Sequence, residues 1–169
     1  IIRSGESFSG DANLRYPEGK ILNVKGFYDQ NSHVMTEGEL KQGKKVFADG
    51  REDSWYEYVP DSLDRGKPVP VVFSRHGGGQ SGWGQCYATS WNYVADREGF
   101  IVVYPDMVFD HTPGGNTEKF GEKIEHEILF IDGLIEELKG KYNIDESRIY
   151  MQGMSMGNLM TTNYSRYSG

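Results

Sequence analysis

Short apolar runs, each bounded by Gly, Pro or Asp, recur along the chain from about residue 51 onward. Residues 55–59 alternate aromatic or branched side chains with polar ones, a pattern typical of a strand with one buried face. Residues 69–73 and 100–104 are continuous apolar runs of strand length, which favours strands covered on both faces. Residues 148–151 supply a further short run, so the pattern predicts at least four strands.

Helical spacing appears between and after these strands. Residues 91–97 carry apolar side chains on one helical face, and Gly99 then provides a stop signal. Residues 124–138 repeat Ile and Leu at spacings of three and four, with Glu and Lys on the opposite face. Residues 158–167 form a third predicted helix. Strands that alternate with helices predict an α/β fold with a parallel sheet and right-handed crossovers.

The two ends of this pattern define a domain organisation. Residues 1–50 are rich in Gly, Ser, Asp and Lys and show only short alternating pieces, such as residues 21–24. We expect them to form a lead-in with short strands, and residues 51–169 to form the main body. Residues 107–121 are predicted to form a long loop, where His111 is a candidate pocket residue because such loops are often functional.

Composition excludes several classes of function. The 169 residues include 18 Lys and Arg against 25 Asp and Glu, so the net charge of −7 argues against a nucleic-acid partner. No apolar run approaches the roughly 20 residues needed to cross a bilayer, so no membrane association is expected. Cys86 is the only cysteine, and no Cys/His cluster indicates a metal site. We therefore expect no metal site. The length of 169 residues fits a single domain.

The strongest chemical signal is Gly-Met-Ser-Met-Gly at residues 153–157, which matches G-x-S-x-G. It lies between a predicted strand and a predicted helix, where a sharp turn exposes a serine hydroxyl above the sheet edge. The start of the helix supplies N–H groups that stabilise an oxyanion. We expect Ser155 to be a catalytic nucleophile, and the alternative is an ordinary turn serine.

A second signal is His-Gly-Gly-Gly at residues 76–79, directly after the strand at 69–73. Acyl transfer needs backbone donors aimed at the developing negative oxygen, and glycines allow the backbone to approach closely. We expect Met156, Gly78 and Gly79 to form the oxyanion hole. His76 is expected to support the loop by hydrogen bonding rather than to act as the base.

The same glycines also match a dinucleotide-binding fingerprint, Gly77-x-Gly79-x-x-Gly82, with Asp106 as a ribose partner. That interpretation requires a helix to open within the motif, and Trp83 stands where its packing would begin. We favour the oxyanion interpretation and expect no cofactor. Asp106, His76 and Trp83 are retained as possible pocket residues, Trp83 with a core role as its default.

The ordered set of motifs resembles the polyhydroxybutyrate-depolymerase-like esterases, a group of α/β-hydrolases that includes feruloyl and acetylxylan esterases. The segments that carry the resemblance are residues 58–60, 76–79, 94–106, 142–150 and 153–157. The resemblance covers roughly residues 54–165. It implies an α/β-hydrolase fold, with helices on both faces of a mostly parallel sheet, and Ser155 as the nucleophile.

The chain departs from the pattern of that family in two places. Arg75 stands where the family usually has an apolar residue before its His-Gly. His126 and Glu127 stand where the family often has paired acidic residues early in a helix. We expect His126 to lie on a solvated helix face.

A serine nucleophile needs a base and an acid, which in this fold follow it in the order Asp or Glu, then His. Residues 156–169 contain no Asp, Glu or His. We therefore expect the chain to be the N-terminal half of a hydrolase, with a C-terminal remainder as a separate piece and partner.

The favoured function is a serine carboxylic-ester hydrolase that acts through an acyl-enzyme on Ser155. Its expected substrate is a small-molecule or polysaccharide ester, or a polymeric ester, and its favoured location is extracellular. One alternative is a serine peptidase of the same fold. The other is a noncatalytic binding or structural fragment that keeps a vestigial nucleophile elbow, the sharp strand-to-helix turn at residues 153–157.

Overall fold

The computed structural model describes residues 24–29, 31–106 and 118–167 of the chain. Residues 21–23 of one predicted strand piece, and residues 107–117 with His111, lie outside the described residues. Within the described part, no helix is long and apolar enough to cross a membrane.

Strands and helices alternate from the middle of the chain onward, as the sequence predicts. The strands are β1 (Val24–Lys25), β2 (Tyr28–Asp29), β3 (Val34–Met35), β4 (Glu39–Val46), β5 (Glu52–Val59), β6 (Val69–Arg75), β7 (Ile101–Pro105) and β8 (Ile144–Gly153). The helices are α1 (Gly82–Ala88), α2 (Trp91–Glu98), α3 (Glu118–Lys141) and α4 (Met156–Tyr167). Six strands form one sheet in the order β1-β4-β5-β7-β6-β8, and β2 pairs with β3 in a separate hairpin.

The main sheet is mixed rather than mostly parallel. β6 lies parallel to both β7 and β8, whereas β1, β4 and β5 add an antiparallel part. The antiparallel part arises because β4 and β5 form a hairpin, closed by a turn in which Gly50 has a φ of 81°. Residues 1–50 thus contribute an eight-residue strand to the same sheet as the main body.

Helices cover both faces of the sheet, which confirms the predicted α/β-hydrolase class of fold. One face packs against α3, and the other against α1 and α2. The first core contains Val71, Phe73, Ile101, Val103, Phe130, Ile131, Leu134 and Leu138. The second contains Tyr58, Val72, Trp83, Cys86, Ala95, Val102 and Tyr104. Successive residues of β6 and β7 fall in different cores, because side chains alternate across a strand.

Helix α1 is absent from the sequence prediction. It begins at Gly82, and its N-cap residue Ser81 accepts a hydrogen bond from the Gly84 N–H at 3.1 Å. Its glycine-rich sequence has a weak intrinsic helix propensity. The cap and the burial of Trp83 and Cys86 stabilise the helix instead.

The prediction that His126 lies on a solvated helix face is wrong. His126 is buried in α3, with Nδ1 bonded to Asp49 and Nε2 at 3.1 Å from Asp53 Oδ1. The next residue, Glu127, is buried as well. The helical pattern does not reveal their burial, because a sequence does not distinguish a polar side chain that pairs inside the protein from one that faces solvent.

Candidate active site

Ser155 occupies a sharp turn between the last residue of β8 and the first residue of α4. Its φ of 52° lies in the left-handed region, which is uncommon and strained for a residue with a side chain. The residue is exposed. Strained backbone of this kind is often found at catalytic positions, and this geometry holds the serine above the edge of the sheet.

The two glycines of the motif make the turn sterically possible. A Cβ atom on Gly153 would lie 2.2 Å from the backbone carbon of Gly157. A Cβ atom on Gly157 would lie 2.5 Å from the carbonyl oxygen of Arg75 and 2.6 Å from that of His76. The first turn of α4 therefore packs directly on the backbone that links β6 to the following loop.

Helix α4 begins immediately after Ser155. The Ser155 carbonyl accepts hydrogen bonds from the N–H groups of Asn158 at 3.0 Å and Leu159 at 3.2 Å. Met156 is the first helical residue, so its N–H lies at the positive end of the helix dipole. That position suits an oxyanion donor, which is the role predicted for Met156.

The loop after β6 folds beside the elbow. Gly79 has a φ of 74°, and the Gln80 N–H donates to the Gly77 carbonyl at 3.2 Å, so residues 77–80 form a tight turn. A Cβ atom on Gly77 would be 3.6 Å from Ser155 Cβ. The structure thus brings together the two segments that the sequence predicts for nucleophile and oxyanion hole.

His76 is buried at the start of this loop. Its Nδ1 lies 2.7 Å from the Gly77 carbonyl, to which it donates as Nδ1–H. Burial lowers the pKa of His76, an effect partly offset by its hydrogen bond to Gly77 and by the nearby carboxylate of Asp106. A neutral imidazole that bonds its own loop agrees with a supporting role.

Asp106 follows β7 at the same edge of the sheet. Its Oδ2 accepts a hydrogen bond from Ser54 Oγ at 2.7 Å, and its Oδ1 accepts one from the Gly82 N–H at 2.6 Å. Burial raises the pKa of Asp106, although these two hydrogen bonds act in the opposite direction. The carboxylate therefore ties β5 to the start of α1, and its pocket role stays a prediction.

Trp83 lies in the core on the α1 side of the sheet. Its ring meets Phe27 edge-on at a centroid distance of 5.4 Å and lies 6.0 Å from the ring of Tyr56. Only 2% of Trp83 is exposed. This placement matches the default role given to it, and a contact with substrate stays a prediction.

Two supporting interactions beneath the site are absent from the sequence prediction. On one face of β6, Ser74 Oγ accepts hydrogen bonds from the side-chain amides of Gln85, at 3.1 Å, and Gln152. On the other face, the buried guanidinium of Arg75 donates to the buried carboxylate of Glu127. The departures from the family pattern at Arg75 and at the pair His126-Glu127 are the only sequence signal for the second interaction.

Among the described residues, few other side chains near Ser155 could bind a metal ion or act as an acid or a base. Within residues 24–29, 31–106 and 118–167, no group of His, Cys, Asp and Glu side chains could hold a metal ion. The sequence after Ser155 carries no carboxylate or imidazole. The described residues therefore bring together an exposed serine, Ser155, and the backbone N–H groups predicted to act as oxyanion donors.

Comparison with known proteins gives relatives of two kinds. The chain is 33% identical over 104 residues to the bifunctional acetylxylan esterase/xylanase of Neocallimastix patriciarum, covering 62% of this chain and 14% of that protein. It is 32% identical over 110 residues to feruloyl esterase B of Thermothelomyces thermophilus, covering 63% and 36%. It is also 32% identical over 132 residues to dipeptidyl-peptidase 5 of Trichophyton schoenleinii, covering 76% and 17%. No protein-family profile matches the chain.

Solved structures resemble the fold at low sequence identity. The acetyl xylan esterase from Aspergillus awamori has a TM-score of 0.52 at 22% identity, over 74% of this chain and 46% of that one. An α/β-hydrolase enzyme from the metagenome of Lake Arreo, Spain, has a TM-score of 0.58 at 16% identity, over 75% and 38%.

These likenesses, together with the elbow and the sheet order, define a partial α/β-hydrolase fold. Within that class, the chain is similar to feruloyl and acetylxylan esterases over the part that aligns. It spans from about one seventh to about one third of the length of the curated relatives described above, with 14% of one and 36% of another covered.

Proposed function

We propose that this chain supplies the nucleophile and the oxyanion loop of a serine carboxylic-ester hydrolase. The observation that carries the proposal is the geometry of Ser155, which is exposed, has a φ of 52° and packs beside Gly77. A left-handed, non-glycine residue has a conformational cost of about 1 to 3 kcal/mol, and strained residues of this kind cluster at active sites. The similarity to feruloyl and acetylxylan esterases supports an ester as the substrate.

The proposed reaction has two steps. Ser155 Oγ loses its proton to a base and attacks the ester carbonyl, and the N–H groups of Met156, Gly78 and Gly79 stabilise the resulting oxyanion. The bond to the alcohol then breaks, the alcohol leaves with the proton, and an acyl-serine forms. Water hydrolyses the acyl-serine by the same route and releases the acid.

Residues 156–169 contain neither a histidine that could act as the base nor an Asp or Glu that could orient it. We assign both to further polypeptide of the same hydrolase, in the order acid and then histidine that this fold uses. That polypeptide is the partner in the proposal. The proposal includes no nucleic acid, membrane, metal or cofactor.

The proposed substrates are polysaccharide-linked or polymeric esters, in an extracellular setting. The names of the two esterase relatives support acetylxylan and feruloyl esters as candidate substrates. A peptidase is the second candidate, because dipeptidyl-peptidase 5 of Trichophyton schoenleinii aligns over 76% of this chain. The elbow and oxyanion loop suit both reactions, because amide and ester hydrolysis pass through the same type of tetrahedral intermediate.

A substrate panel separates these functions. The full chain that carries this sequence is assayed on methyl ferulate, on acetylated xylan and on dipeptidyl p-nitroanilides. We expect ester hydrolysis that Ser155→Ala abolishes and that Ser165→Ala, a matched change in the exposed end of α4, leaves intact. Activity on the anilides alone would favour the peptidase. Any activity that survives Ser155→Ala would support the noncatalytic interpretation of the elbow.

A further inference from the structure

Arg75 and Glu127, which lie in the two segments that depart from the family pattern, meet in the interior of the protein. Arg75 ends β6, Glu127 lies in α3, and both side chains are buried, with 0% and 2% of the residue exposed. An Arg75 Nη2–H donates to Glu127 Oε1. Burial lowers the pKa of Arg75 to about 10, so the guanidinium is still charged at neutral pH. The two residues therefore form a buried ion pair between α3 and the sheet.

The backbone of Arg75 contacts the elbow. Its carbonyl oxygen accepts a hydrogen bond from the Met154 N–H at 3.1 Å, one residue before Ser155. The first turn of α4 presses on the same carbonyl, since a Cβ on Gly157 would lie 2.5 Å from it. The chain then continues into His76 and Gly77, and Gly77 packs beside Ser155. Arg75 thus bonds to α3 through its side chain and to the nucleophile turn through its main chain.

The alignment of Arg75 depends on one partner. Among the described residues, the Nε and Nη1 atoms of its guanidinium have no hydrogen-bond partner. The hydrogen bond from Nη2 to Glu127 is therefore the polar contact that orients the guanidinium. An apolar residue at this position would be held by contacts without direction, and it could shift with little cost. A buried charge pair holds one geometry, because separation leaves each charge unpaired in a medium of low dielectric constant.

We propose that Arg75 and Glu127 are positioning residues that fix the nucleophile turn and the oxyanion loop relative to α3. The pair sets the location of the Arg75 carbonyl, and this carbonyl sets the location of the Met154 N–H and of the backbone beside Ser155. The consequence for catalysis rests on the proposed function. The consequence for the backbone of the turn is independent of it.

The test removes both charges at once. In the variant Arg75→Met with Glu127→Leu, apolar side chains of similar volume replace the pair, and such replacements are often neutral or favourable for overall stability. Two quantities are measured in the full chain that carries this sequence: hydrogen exchange at the Met154 amide, relative to the Val102 amide in the sheet, and the saturating rate of Ser155 labelling by a fluorophosphonate. The matched control is Lys45→Met with Glu137→Leu, which removes a partly exposed pair that also joins α3 to the sheet.

We expect the double variant to melt within a few degrees of the unsubstituted protein. Protection of Met154 should fall at least tenfold relative to Val102, and labelling should slow at least tenfold without loss of affinity for the probe. The control variant should change neither quantity. Unchanged Met154 protection in a folded double variant would overturn the proposal.

A second variant keeps the test decisive if the double variant fails to fold. Glu127→Asp preserves both charges and shortens the carboxylate side chain by one methylene, so it should loosen Met154 while the protein stays folded. Equal Met154 protection in Glu127→Asp would then overturn the proposal. If the unsubstituted protein is not labelled at all, the proposed function fails, and the exchange result still decides whether the pair positions the turn.

Discussion

Gly77 and Ser155 lie side by side, so that a Cβ atom on Gly77 would be 3.6 Å from Ser155 Cβ. The same added atom would be 3.4 Å from the carbonyl oxygen of Met154. The oxyanion loop and the nucleophile turn are therefore parts of one packed surface, although 78 positions of sequence separate these two residues. Changes that move either segment should therefore alter the other.

Gly157→Ala should destabilise the protein by about 2 kcal/mol or more, because the new Cβ would overlap backbone atoms that cannot rotate away. The overlap is with the carbonyl oxygens of Arg75 and His76, at 2.5 and 2.6 Å. The free energy of unfolding from urea titration measures the effect.

Gly140→Ala is the control for that substitution. Gly140 lies near the end of α3, and an added Cβ meets nothing within 4 Å. This change should stabilise the protein by roughly 0.5 to 1 kcal/mol, since alanine is the better helix former. Equal effects of the two substitutions would show that the elbow does not pack on β6 as described.

Ser155→Gly should be more stable than Ser155→Ala by about 1 kcal/mol, the reverse of the usual order of these two residues. The reason is the φ of 52° at this position, where a Cβ is strained and glycine is not. Urea titration of both variants under one set of conditions provides the comparison. If the alanine variant is the more stable, the turn is not strained.

Protonation of His76 should destabilise the fold. Burial lowers its pKa, so the unfolded chain binds a proton more readily than the folded one. The contribution to stability is present above the unfolded value of about 6.5 and is lost as the pH falls through the lower folded value. In His76→Asn, which keeps a donor for the Gly77 carbonyl, the loss of stability between pH 7.5 and pH 5 should be smaller than in the unsubstituted protein.

The control for this pH effect is His33→Asn, since His33 lies in an exposed turn and its φ of 55° suits asparagine. This variant should keep the pH dependence of the unsubstituted protein. A pH dependence that persists unchanged in His76→Asn would assign the acid sensitivity to other groups.

Cys86 should resist alkylation in the folded protein. The thiol is fully buried, and burial raises its pKa to about 12, so the reactive thiolate is scarce at pH 8. We expect iodoacetamide to react at least 100-fold more slowly than in urea-unfolded protein. Rapid stoichiometric reaction without denaturant would contradict the core formed by α1 and β7.

Apart from α1, the sequence predicts the strands and helices from residue 55 onward, because their hydrophobic periods are strong and their ends carry Gly or Pro. It also predicts which two loops meet at the site, since the ends of parallel strands share an edge of the sheet. The elbow and the oxyanion loop are recognisable because their backbone geometry requires glycine at fixed positions, and these glycines form sequence motifs.

Features that depend on pairing across the fold are not predictable in the same way. The strand at Glu39–Val46 consists mostly of charged and polar residues and becomes a strand by pairing with β5. His126 and Glu127 look like surface residues in a helical pattern, and only the fold brings them to Asp49, Asp53 and Arg75. Helix α1 depends on its Ser81 cap and on burial, which override its low propensity.

The most direct test of the central claim is intact mass spectrometry of the full chain that carries this sequence, before and after treatment with a fluorophosphonate probe. The probe reacts with activated serines. We predict a single adduct on the peptide that contains Ser155, and no adduct in Ser155→Ala. A protein of unchanged mass, or an adduct that persists in Ser155→Ala, would contradict the assignment of Ser155 as the nucleophile.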